Sequence, residues 1–173
     1  MPIIICPGVH SPKLTDCFIA NISKRIEADY LIVPTAEYPP YSAIAIYRWL
    51  ELQQLSKTLP LSFIAFSAGV VGGIGAAITW QLRGGRVSSF IAFDGWGMPL
   101  VANFPIRRVS HDRFTHWSSG LLGAGELGFY ADPEVDHLEL WRSPEACWGW
   151  QIVSPGCQTR DTLLNYLTNV LIP

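Results

Sequence analysis

One serine, four histidines and two aspartates are the residues of this chain whose types and spacing could do chemistry. Ser67 lies within Leu61 to Arg83, LSFIAFSAGVVGGIGAAITWQLR, at the point where a run of strand formers gives way to a small-residue helical segment. A serine on so sharp a strand-to-helix turn is lifted out of the sheet, and the first N–H groups of the new helix point toward whatever it attacks. Ser-x-Gly also occurs at Ser118 and Ser154. A nucleophile turn, however, needs small residues two places to either side, because it brings backbone and side chains close together. Ser67 has Ala65 behind it and Gly69 ahead, whereas Ser118 follows His116 and Ser154 follows Ile152. Ser67 is therefore the candidate nucleophile, against the plainer reading of a serine that caps a buried helix.

A serine hydroxyl needs a base near neutral pH, and histidine is the usual one. His10 lies in the turn Pro7-Gly8-Val9-His10 and suits a place beside a pocket better than the role of base. His111 and His116 flank Asp112 in SHDRFTH, and His137 lies in VDHLELWRSP. A metal held by His111, Asp112 and His116 is the alternative use of that cluster, but no defined ligand set accompanies it, and neither metal nor cofactor is expected. Gly72-Gly73-x-Gly75 lacks the Lys-Ser/Thr of a phosphate loop and reads as close helix packing.

The elements that must position these residues follow from hydrophobic pattern. Ile3 to Cys6 is a continuous apolar run ended by Pro7-Gly8, as in a strand buried on both faces. Leu14, Phe18, Ile19, Ile22 and Ile26 form one helical stripe, and Tyr30 to Val33 is a second strand. Ser42 caps a helix expected to run to about Lys57, before a third strand, Ser62 to Phe66, and a helix closed at Gly84-Gly85. Ser88 to Phe93 is a fourth strand. This β-α-β-α-β-α-β order predicts an α/β fold: a doubly wound, mostly parallel sheet of about five to six strands with helices on both faces. Beyond Asp94 the pattern loosens. Gly95 to Pro105 is a loop at a strand's C-terminal end, where such sheets put their ligands. Ile106 to Val109 is a fifth strand expected at an edge or exposed face, Trp117 to Gly128 a short helix over the pocket, Val135 to Trp141 a sixth strand, and Asp161 to Leu171 a closing helix.

Length and composition bound the function. The 173 residues predict one domain spanning 1–173, and 49% apolar against 15% charged residues excludes a disordered chain. A net charge of −2 gives no electrostatic case for nucleic acid. Cys6, Cys17, Cys147 and Cys157 make no CxxC or zinc spacing and read as reduced thiols of a cytoplasmic protein. The start of the chain lacks a signal-peptide pattern. Leu61 to Trp80 is uncharged and long enough to suggest a membrane span, but its β-branched and aromatic first half and its Gly/Ala-rich second half predict a buried strand and helix instead. The seven tryptophans are expected mainly in the core.

With Ala65-x-Ser67-x-Gly69 at a strand-to-helix corner, a Pro7-Gly8 turn after the first strand, and aspartate and histidine downstream, the chain resembles the α/β-hydrolase family, in a small form without a large cap. The resemblance implies Ser67 as nucleophile, His137 as base, with His116 the lesser alternative, and Asp112 as the acid that orients it, with Asp94 as the alternative acid, one strand after the nucleophile. It also implies an oxyanion hole built from the backbone N–H groups of Val9 and Ala68, with His10 and Trp96 beside the substrate. Ala65 stands where the family has its first glycine. The activity implied is serine-dependent hydrolysis of a small-molecule ester or thioester with an apolar group; the alternative is a non-catalytic binding protein with the same fold.

Overall fold

The computed structural model describes residues 1–123, 127–154 and 156–172. It contains one eight-stranded sheet in the order β2-β1-β3-β4-β5-β6-β7-β8. The first half alternates as predicted: β1 (Pro2–Cys6), α1 (Pro12–Ile22), β2 (Asp29–Ile32), α2 (Ala43–Leu52), β3 (Pro60–Phe66), α3 (Ala68–Leu82) and β4 (Arg86–Phe93). The second half runs β5 (Ile106–Ser110), α4 (Arg113–Gly120), β6 (Gly128–Ala131), α5 (His137–Arg142), β7 (Trp148–Ser154), β8 (Cys157–Thr162) and α6 (Leu163–Leu171). Strands β1 to β6 pair in parallel, whereas β7 joins β6 and β8 joins β7 antiparallel. The sheet is thus mixed and larger than the sequence pattern indicated.

The central strands read as unbroken apolar runs because each is covered twice. Ile3, Ile5, Ile64, Phe66, Ile91 and Phe93 face one layer with α1, α5 and α6, where Phe18 stacks on Trp141 at 3.7 Å. Ile4, Cys6, Phe63, Ala65, Phe90 and Ala92 face the other, with α2 and α3. The period-2 alternation of strand side chains sends neighbours to opposite cores. The uncharged run from Leu61 to Trp80 resolves into β3 and most of α3, and no helix among the described residues is long and apolar enough to cross a membrane. Three of the seven tryptophans, Trp49, Trp80 and Trp141, are core residues.

Four expectations are corrected. The α2 helix ends at Leu52 instead of near Lys57: Gln54 takes φ 53° and turns the chain out of the helix. Strand β5 is internal, between β4 and β6, and its Arg108 is only 2% exposed, donating to the carbonyls of Gly123 and Met98. Val135 to Trp141 is not a strand: His137 to Arg142 is a helix whose Leu140 and Trp141 enter the core, a helical face too short to separate from a strand by periodicity. The helix expected within Trp117 to Gly128 lies earlier, as α4, capped by Asp112; residues 124–126 of that segment lie outside the described ones.

Candidate active site

Ser67 occupies the corner between β3 and α3 with φ 53° and ψ −119°, a conformation outside the regions an L-residue ordinarily adopts. Its hydroxyl makes no capping bond to α3, so the capping reading of this serine does not hold. Two close approaches enforce the corner. A Cβ on Gly69 would lie 2.1 Å from the Cys6 carbonyl oxygen, and one on Gly8 would lie 3.1 Å from Ser67 Cβ. The turn after β1, carrying Gly8, Val9 and His10, therefore lies directly beside the serine. Ala68, the first residue of α3, has an N–H with no acceptor inside its helix.

The neighbouring strand ends bring the acid. Ser67 N–H donates to the Phe93 carbonyl at 2.9 Å, and the next residue, Asp94, donates its own N–H to Val109 at 2.8 Å. Ser67, Asp94 and His111 thus follow the C-terminal ends of three adjacent strands. Asp94 is 8% exposed and saturated with donors. Its Oδ1 accepts the His111 backbone N–H at 3.0 Å, while its Oδ2 accepts His137 Nδ1 at 2.7 Å and His111 Nδ1 at 2.9 Å. Burial alone would raise the Asp94 carboxyl, but hydrogen bonds from the two histidines and the charge on His111 outweigh it and hold the group below its ordinary range.

His137 opens α5, and its ring lies on Phe66, centroids 4.6 Å apart. Phe66 in turn stacks on Trp141 at 5.0 Å and meets the His10 ring edge-on at 5.5 Å. The residue preceding the serine is thus the platform for His137, and Asp94 fixes that ring's rotation and tautomer. With Nδ1 engaged, Nε2 is the nitrogen left for a substrate or nucleophile. Among the described residues no hydrogen bond joins Ser67 to His137; such bonds often tighten only when substrate is bound.

The structure separates the expected site residues into two groups. Ser67 and Ala68 lie beside the Val9 turn, and His137 lies on Asp94 and on Phe66, the residue before Ser67. Asp112 does not reach His137: its carboxylate caps α4, accepting from Thr115 N–H at 2.6 Å and Thr115 Oγ1 at 3.0 Å, and pairs with His111 Nε2 at 2.7 Å. His116 is buried in α4 beside Ser110 and Tyr130. Trp96 is 68% exposed and donates Nε1 to Ser118, while His10 lines a cavity of about 230 Å³ with Pro7, Thr15, Ile32 and Val33. Sequence reasoning did not pair His111 with Asp94; its position just past β5, one strand over from Asp94, was the available signal. Donor atoms of Asp94, His111 and His137 lie within 4.8 Å of one another, the closest approach to a metal-ligand set among the described residues. Their contacts have hydrogen-bond lengths, 2.9 Å from His111 Nδ1 and 2.7 Å from His137 Nδ1 to the shared oxygen. No protein-family model matches the chain, and no curated protein matches it.

Proposed function

We propose that this chain is a serine-dependent acyl hydrolase of the carboxylesterase, lipase or thioesterase type, built on a small α/β-hydrolase-like fold. The observation that carries the reading is the conformation of Ser67: a non-capping serine in strained backbone at a strand-to-helix corner, one strand away from a buried carboxylate that orients a histidine. Strain of this kind persists where the surrounding structure over-determines it, and here Gly69 lies against the Cys6 carbonyl, and Gly8 against the Phe66 carbonyl and Ser67, too closely for a side chain on either.

In this reading Ser67 Oγ attacks the acyl carbon and its proton passes to His137 Nε2. The tetrahedral intermediate places negative charge on the former carbonyl oxygen, which the N–H groups of Ala68 and Val9 stabilise. Collapse breaks the ester or thioester bond, and the leaving alcohol or thiol takes the proton back from His137. Water then attacks the acyl-serine by the same route, releasing a carboxylic acid and restoring the serine. Asp94, rather than Asp112, serves as the acid, since it is the carboxylate that touches His137.

A second reading, a binding protein that keeps the fold without turnover, draws on the missing Ser67 to His137 hydrogen bond. One experiment separates the two. A fluorophosphonate probe followed by peptide mapping should modify Ser67 in the folded protein, and Ser67→Ala should reduce labelling to background. Absence of an adduct on Ser67, with a reactive serine hydrolase labelled in parallel, would overturn the catalytic reading.

A further inference from the structure

Two imidazoles and a carboxylate converge where β4 and β5 end. Asp94 Oδ2 lies 2.7 Å from His137 Nδ1 and 2.9 Å from His111 Nδ1, and the three donor atoms lie within 4.8 Å of one another. One carboxylate oxygen with two imidazole nitrogens suits zinc and its neighbours in the transition series; magnesium and calcium take oxygen ligands instead. Bonds of about 2.0 Å arranged tetrahedrally hold ligand atoms about 3.3 Å apart. The two oxygen–nitrogen separations therefore have to widen by only about half an ångström to admit an ion.

The surroundings suit a ligand set. Asp94 Oδ1 accepts the His111 backbone N–H at 3.0 Å, which holds the carboxylate with Oδ2 toward the two rings. Behind His111, Asp112 Oδ2 lies 2.7 Å from Nε2. A metal-bound histidine commonly has a carboxylate at its other ring nitrogen, where it orients the ring and raises its basicity as a ligand. The His111 and His137 side chains are 30% and 42% exposed, so an ion and a water completing its coordination can enter from solvent. This is not the set that local spacing offered: His116 is buried in α4, and Asp112 stands behind His111 instead of beside it.

We propose that Asp94, His111 and His137 form a binding site for a divalent transition-metal ion of the zinc type, and that the bound ion switches the Ser67 centre off. The switch rests on the hydrolase reading; the site does not. An imidazole bound to the ion through Nδ1 carries its one proton on Nε2. His137 then presents a donor where Ser67 needs an acceptor, and Asp94 Oδ2 is engaged by the ion instead of by the ring. Removal of the ion returns Nδ1 to Asp94 and the lone pair to Nε2.

The test uses the full chain, freed of metal by chelation, in three forms: the parent, His111→Asn and Asp112→Asn. Asparagine at 111 can still donate to Asp94 but is a poor ligand for zinc, and asparagine at 112 can still cap α4. Cobalt(II) is titrated in and its visible absorption followed; the parent should give the intense spectrum of a four-coordinate ion, abolished by added zinc and unaffected by magnesium. Cobalt affinity should fall by more than about 100-fold in His111→Asn and by about tenfold in Asp112→Asn. Zinc should slow fluorophosphonate labelling of Ser67 in the parent to below about a tenth of the metal-free rate, and EDTA should restore it. The half-effect should come at the zinc concentration that half-displaces cobalt. A parent without the four-coordinate spectrum, or an affinity unchanged in both folded variants, overturns the site. So does a cobalt–thiolate band in the near ultraviolet, which would put the ion on the exposed Cys17 or Cys157. Zinc that saturates the site without slowing labelling overturns the switch. If metal-free Ser67 is not labelled at all, the hydrolase reading and the switch fall together, while the cobalt spectrum still decides the site. Should His111→Asn not fold, the affinity of Asp112→Asn decides.

Discussion

Asp94 accepts three hydrogen bonds while almost wholly buried, an arrangement that favours the charged carboxylate. Asp94→Asn would set an NH₂ group either against both imidazole Nδ1 atoms or against the His111 backbone N–H, and in either case removes the charge that holds the two rings. His137 would then rotate or change tautomer, presenting a proton where Ser67 needs a lone pair. The expected outcome is a fall in Ser67 labelling rate of about 10³- to 10⁴-fold. Asp112→Asn, lacking contact with His137, should lower the plateau rate by less than about tenfold. Rates measured at the plateau pH of each variant make the comparison clean. Equal losses would return the acid role to the Asp112 side of the network, and a loss confined to Asp112→Asn would reverse the assignment made from contact geometry.

At the scale of elements, the elbow works because α3 can approach β1 more closely than a helix with side chains on that face could. Gly69 is the point of contact: a Cβ there would overlap the carbonyl oxygens of Cys6 at 2.1 Å and Pro7 at 2.5 Å, both backbone atoms with little freedom to withdraw. Gly69→Ala should therefore destabilise the fold by about 3 kcal/mol, read as a lowered urea midpoint at unchanged slope, and should slow Ser67 labelling further by shifting the corner. This part of the molecule was legible in the sequence. Strand formers ending at Ser67, a small residue two places on and glycines at packing positions are local signals, and β1 to β4 lie where the apolar runs put them. The second half was not legible for physical reasons. Arg108 reads as an exposed residue, but is buried because two loop carbonyls, of Gly123 and Met98, satisfy its guanidinium. β8, from Cys157 to Thr162, is largely exposed and polar, so no apolar alternation announces it. Which of Asp94 and Asp112 meets His137 depends on the strand end that His137 folds back upon, and that is a tertiary fact.

For the whole molecule, the Asp94 network is a cross-brace. It ties the end of β4 to the end of β5 through His111 and to α5 through His137, and the His111 carbonyl accepts the N–H of Val135 at 3.1 Å. Folding stability should follow its protonation. Asp94 is lowered from its ordinary 3.8, so its contribution is present above that value and is lost as pH falls through the lower folded-state value. His111 is raised from 6.5, so its contribution is complete below 6.5 and is lost as pH rises through the raised folded-state value. The brace is thus strongest between about pH 4 and 6.5. Buried thiols complicate the alkaline side: Cys6 and Cys147 are both pushed up to about 12 by burial, first of all, and so favour unfolding once free thiols begin to ionise. The difference between parent and His111→Asn removes that shared background. The parent should be the more stable at pH 6 by of the order of 1 kcal/mol, the scale of a charge-assisted hydrogen bond at a part-exposed site, and the difference should shrink steadily by pH 9. Urea midpoints at four pH values measure it. A difference that stays constant across the range would mean that His111 contributes through packing and not through its charge, and a difference that grows with pH would place the histidine neutral in the fold.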